Sequence, residues 1–228
     1  MKRLGFALLV CAFVASTASA DLTITTGGTP AGTSGVTTAV AGAVVDTFTD
    51  PGRPGWTYGG NGGIQTGPVA GKAAPPLGDT TNYYSLPDQT QNLPGVTTVT
   101  GFGGPQTYLG LFWGSIDVSN ITAPGNPSNF NNTIKFYSGA TVVADLTARD
   151  VFPLLAQQGG PDNQTMPAYN QYVNFFFTNG QSFDKVEFGS WQFAFEFDNL
   201  AVAVPLPGAV LLGFLGLGFA GMKLRRFV

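Results

Sequence analysis

Trp191-Gln-Phe-Ala-Phe-Glu-Phe197 is the stretch on which the fold turns. Trp191, Phe193, Phe195 and Phe197 alternate with Gln192, Ala194 and Glu196. A period of two puts every large ring on one face of an extended chain, whereas a helix would scatter them around its axis. The pattern predicts a strand over 191–197 whose Trp and Phe side builds a core. Glu196 falls on the other side and is expected to face solvent.

The same period recurs upstream. Leu109, Leu111 and Trp113 share a face over 108–113, Ile134 and Phe136 over 133–137, and Val173, Phe175 and Phe177 over 172–178. Val142, Ala144 and Leu146 share one over 141–146. Shorter candidates lie at 22–26, 43–49, 82–86 and 96–100, while 50–77 reads as loop, rich in Pro and Gly. Ser138-Gly139-Ala140 and Asn179-Gly180 mark hairpin-like connections. One helix is expected over 148–157, capped by Thr147 and interrupted by Pro153. Strands about ten residues apart with almost no helix predict an all-β chain, an antiparallel β-sandwich of jelly-roll type. Missing crossover helices exclude a parallel α/β sheet.

Both ends of the 228-residue chain depart from this pattern. Lys2 and Arg3 precede an apolar run and the small residues Ala18-Ser19-Ala20, the layout of a signal peptide cleaved after Ala20. At the other end no charge occurs from Leu200 to Met222, and Lys223, Arg225 and Arg226 then follow. That predicts a C-terminal transmembrane helix with its basic end held in the cytoplasm. The chain divides into 1–20 as signal, 21–203 as exported domain and 204–228 as tail. Without the five basic residues at the ends, the domain carries five Lys and Arg against thirteen Asp and Glu, a net charge near −8. Nucleic acid is thereby excluded as a partner.

Val204-Pro205-Leu206-Pro207-Gly208, a glycine-rich apolar stretch and Arg225-Arg226 stand in that order. The tail resembles the tripartite PEP-CTERM sorting signal, with Leu206 where the family's name has Glu. Phe195-Glu-Phe-Asp-Asn-Leu-Ala-Val202, just before the Pro-x-Pro, is similar to the strand that precedes that signal in family members. The resemblance implies handling by an exosortase, a partner in the inner membrane of a Gram-negative bacterium. The tail would then hold the protein in that membrane until processed. It also implies a place at the cell surface or in an exopolysaccharide matrix or biofilm, with no enzymatic activity.

The domain has no His, and the chain's one Cys, Cys11, lies in the signal segment. Thiol and imidazole catalysis and the usual zinc sites are excluded. No cofactor is expected. Calcium is the one plausible metal, with Asp117, Asp145, Asp150, Asp184 and Asp198 as oxygen donors, though no Asp-x-Asp-x-Asp-Gly loop is present. Trp56 and Tyr58, in the loop-rich stretch, are the candidate glycan contacts of a carbohydrate-binding module. Tyr83, Tyr84 and Tyr169 are further aromatics near strand ends, while Trp113 and Trp191 are assigned to the core. A glycosidase would have to use Glu187 and Glu196, the only glutamates.

Overall fold

The computed structural model describes residues 22–49, 52–88, 93–116, 132–153, 165–191 and 193–203. The expected signal segment with Ala18 and Ala20, the tail with the expected sorting motif and its basic end, and Asp117 lie outside the described residues. So does the predicted transmembrane helix. Among the described residues no helix is long and apolar enough to cross a membrane.

The strands, in chain order, are β1 (Leu22–Thr26), β2 (Thr29–Pro30), β3 (Val36–Thr37), β4 (Val44–Asp46), β5 (Thr57–Gly60), β6 (Gly63–Thr66) and β7 (Asn82–Leu86). They continue with β8 (Gly95–Thr100), β9 (Tyr108–Gly114), β10 (Thr133–Ser138), β11 (Thr141–Thr147), β12 (Gln171–Phe177), β13 (Lys185–Ser190) and β14 (Phe195–Ala203). All pairings between named strands are antiparallel. A seven-stranded sheet runs β1-β12-β9-β14-β7-β6, with β4 also paired to β14. A five-stranded sheet runs β11-β10-β13-β8-β5, and β2 and β3 form a separate small ribbon. The chain is all-β, and its two large sheets pack face to face.

Alternation decides which side chains meet. Leu109, Leu111, Trp113, Val173, Phe175, Phe195 and Phe197 point inward from the larger sheet. Val99, Ile134, Phe136, Val186 and Phe188 point inward from the smaller one. Ring contacts bridge the gap: Phe188 lies 4.7 Å from Phe197 and Phe136 lies 5.4 Å from Phe175, centroid to centroid. Trp113 stacks on Phe195 at 4.4 Å, on the neighbouring strand. β9, β10 and β12 therefore form where the alternation at 108–113, 133–137 and 172–178 predicts.

The outer face of the larger sheet is covered as well. The segment preceding β4 lays Val40 and Ala43 against Tyr108, Ala201 and Ala203. Asn199 breaks the β14–β9 register as a bulge, with φ 50°, and its amide donates to the carbonyls of Ser34 and Val36. Gly35, at φ +68°, is required there, since a Cβ would meet the Phe112 ring at 2.4 Å. Every residue of β14 is consequently buried. Glu196 is 1% exposed, and its Oε1 accepts from the Ala74 amide. The expected solvent-facing Glu196 is thus corrected: the strand's polar side lies under a second layer of chain.

Further expectations change. The strand predicted over 191–197 begins only at Phe195, and Trp191 is 57% exposed rather than in the core. Between Phe136 and Tyr137 the β10–β11 register shifts, which turns Val142 outward to 48% exposure and packs Val143 against the core. The helix α1 covers Ala148–Val151, opened by a reciprocal Thr147–Asp150 capping box and followed by Phe152 at φ −124°, while 154–157 of the expected helix lie outside the described residues. The stretch expected to be loop holds β5 and β6. β13 was not anticipated at all.

Phe188→Ala removes a ring shared by both sheets and is expected to cost about 3–5 kcal/mol in urea-induced unfolding. Trp191→Ala, at the surface, is expected to change stability by no more than about 0.5 kcal/mol.

Candidate functional site

Val186 and Phe188 of β13 face the core, so Lys185, Glu187 and Gly189 face away from it. Register sets Thr133 opposite Gly189, Lys135 opposite Glu187 and Tyr137 opposite Lys185. On the far side of β10, Asp145 stands opposite Lys135. On the far side of β13, Val96 stands opposite Gly189. The outer face of the five-stranded sheet is therefore an ordered array of polar side chains with an apolar margin. Among the described residues no second layer of chain buries it.

At one end of this face is a groove of about 340 Å³, bordered by Trp191, Val96, Thr133, Lys135, Asp145 and Glu187. Gly189 forms part of its floor, and a Cβ there would come within 2.5 Å of Thr133 Oγ1. Lys135 Nζ lies 3.5 Å from Asp145 Oδ2. The Tyr137 hydroxyl donates to Glu187 Oε2 at 3.4 Å, and Lys185 caps the Tyr137 ring at 3.8 Å. A flat indole beside carboxylates, an ammonium and a hydroxyl is suited to a polyhydroxylated ring. Its C–H face can stack on Trp191 while its hydroxyls meet the polar groups. Trp191 lies just before β14, while Ala203 ends that strand about 30 Å away. The groove and Ala203 therefore lie at opposite ends of the sandwich.

The two aromatics singled out in the sequence lie elsewhere. Trp56 is half-buried and packs edge-on against Phe102 at 5.1 Å. Tyr58 is half-buried against Phe48 and Tyr84, and its hydroxyl donates to Asp46 Oδ2 at 2.7 Å. Burial and the neighbouring Asp46 carboxylate push the Tyr58 phenol far above its ordinary range. Both rings close the edge of the core, and neither borders the groove. Tyr83, Tyr84 and Tyr169 are buried too. Trp191 was misassigned because β13 was missed. With a strand ending at Ser190, Trp191 lies beyond that strand instead of continuing the alternation of the next. Its signal was Val186-x-Phe188 followed by Gly189-Ser190.

The proposed calcium ligands are dispersed. Asp145 pairs with Lys135, Asp150 caps α1, Asp184 accepts from the Gly139 amide, and Asp198 is buried in β14. Among the described residues no group of three or more acidic side chains is placed to hold a metal ion. Nor do Glu187 and Glu196 converge. They point away from the core on different sheets, so the whole sandwich separates them and they cannot flank one glycosidic bond.

A second acidic feature is structural. Asp198 is fully buried, receives the Asn199 amide at 2.6 Å, and faces the carboxyl of Asp79. Asp79 Oδ1 accepts from both the amide and the hydroxyl of Thr81, at 2.8 Å each. Burial, together with the Asp79 charge, pushes the Asp198 carboxyl up to about 9. Asp198 thus holds its proton at neutral pH and joins β14 to the segment that covers it.

Comparison with protein-family models, with curated proteins and with solved structures finds no match to this chain.

The raised Asp198 means that the folded state binds a proton the unfolded chain gives up. Its contribution to stability is complete below about pH 4 and is lost as pH rises toward 9. A fall in melting temperature across that window, flattened in Asp198→Asn, is the expected result of pH-dependent thermal unfolding.

Proposed function

We propose that this is an exported, non-enzymatic surface protein whose sandwich engages extracellular polysaccharide through the Trp191 groove. The observation that carries the reading is the exposed indole at the edge of a polar sheet face. Among the described residues Trp191 is the one aromatic left largely exposed, and an outlying tryptophan beside hydroxyl-binding groups calls for a ligand. The domain is a jelly roll on this reading. What supports it is the order β7-β14-β9-β12 in one sheet and β8-β13-β10-β11 in the other, with successive strands mostly changing sheets.

Delivery follows from the ends of the sequence. A signal peptide ending at Ala20 carries the chain through the inner membrane. The tail from Val204, with its resemblance to an exosortase substrate, holds the chain there until it is sorted to the surface or matrix of a Gram-negative cell. A domain tethered from the Ala203 end presents the groove away from the membrane, toward any surrounding exopolysaccharide.

Polysaccharide from the producing cell's own matrix is expected to retain the wild-type protein in a pull-down and to release Trp191→Ala. Equal retention of the two would remove the groove from the function. Mass spectrometry of the protein from cells with an active exosortase is expected to find a C-terminus upstream of Lys223. An intact Lys223–Val228 end would refute processing.

A further inference from the structure

We infer that the Trp191 groove takes a polysaccharide segment whose sugars are uncharged. The inference rests on the carbohydrate reading above and names the ligand class of the same groove. Its basis is the row of charges across β11, β10 and β13. Asp145 stands opposite Lys135, and Lys135 stands opposite Glu187, so negative, positive and negative alternate on adjacent strands. The single cation bordering the groove is already engaged, at 3.5 Å from Asp145. The next one along this face, Lys185, sits on the Tyr137 ring. A uronate or sulfate entering here would meet two carboxylates and no uncommitted ammonium, inside a domain with net charge near −8.

An amine-bearing sugar fares little better, because Lys135 lies between the two carboxylates that would receive it. Uncharged hydroxyls suit all three groups. Glu187 and Asp145 accept from them, while Lys135 donates. Val96, at 40% exposure, and Trp191 supply the apolar surface for a ring's C–H face. Gly189 keeps the floor between them open, since any side chain there would project into the groove beside Thr133.

Affinity electrophoresis of the full chain in mild detergent tests this. Gels carry an uncharged glucan, galactan, mannan or soluble N-acetylhexosamine polymer, or else polygalacturonate or chitosan, at low and high salt. The expected result is retardation by at least one uncharged polymer, insensitive to salt. Trp191→Ala is expected to weaken it roughly tenfold or more. Gly189→Leu should abolish it, with a modest fall in melting temperature because its Cβ, 2.5 Å from Thr133 Oγ1, forces that hydroxyl to turn away. Retardation confined to polygalacturonate or chitosan and erased by salt would overturn the uncharged ligand while keeping a glycan site. Retardation by an uncharged polymer that survives both substitutions would place that binding outside the groove and overturn the inference. Retardation by none of the polymers would remove the carbohydrate reading itself.

Discussion

The contact between Phe188 and Phe197, 4.7 Å apart across the two sheets, is where the sandwich closes. Each ring also touches Phe195, which in turn stacks on Trp113. These rings continue through Tyr84 and Phe48 at one end of the core and Phe152 at the other. A domain with no thiol has no disulfide to limit its unfolded state, and one ion pair is found among the described residues. Stability must come from apolar burial and backbone pairing, and aromatic rings supply the most buried area per residue.

That constraint shapes β14. As the strand between β9 on one side and β7 and β4 on the other, it is hydrogen-bonded along both edges and covered on both faces. One face takes the aromatic core. The other takes acids and amides, and each polar group there finds a partner in the segments above it. Asn199 binds two carbonyls of the β2–β3 ribbon, Glu196 receives Ala74, and Asp198 accepts from the Thr81 hydroxyl beside Asp79. Burying two neighbouring carboxyls is tolerable only because one stays neutral, which relieves like-charge repulsion and the cost of desolvating a second ion. The covering segments are attached to the sheet by polar contacts that would be weak in water and are strong in a dry interior.

The two outer faces of the sandwich therefore differ in kind. The larger sheet's outer face is roofed by the segment before β4 and by the stretch leading to β7. The smaller sheet's outer face is left open among the described residues, is patterned with charge, and ends in Trp191. On the proposed function the five-stranded sheet is the working surface and the seven-stranded sheet its scaffold. The difference between the faces explains why Glu187 and Glu196, alike in sequence context, have unlike environments.

Period-two alternation at 108–113, 133–137 and 172–178 determined the all-β class and most of the inward-facing residues, because burial of a sheet face depends only on side-chain parity. Composition alone excluded thiol, imidazole and zinc chemistry. What alternation cannot encode is how many layers cover a strand. Glu196 has the parity of a surface residue and is buried, because a distant segment folds over it. Trp191 has the parity of a core residue and is exposed, because β13 ends before it and β14 starts after it. The bulge at Val143 likewise reverses Val142 with no local signal. Tertiary structure decided these three, and with them the site. The groove exists only where β13, β10 and β8 are brought side by side, from stretches far apart in the chain.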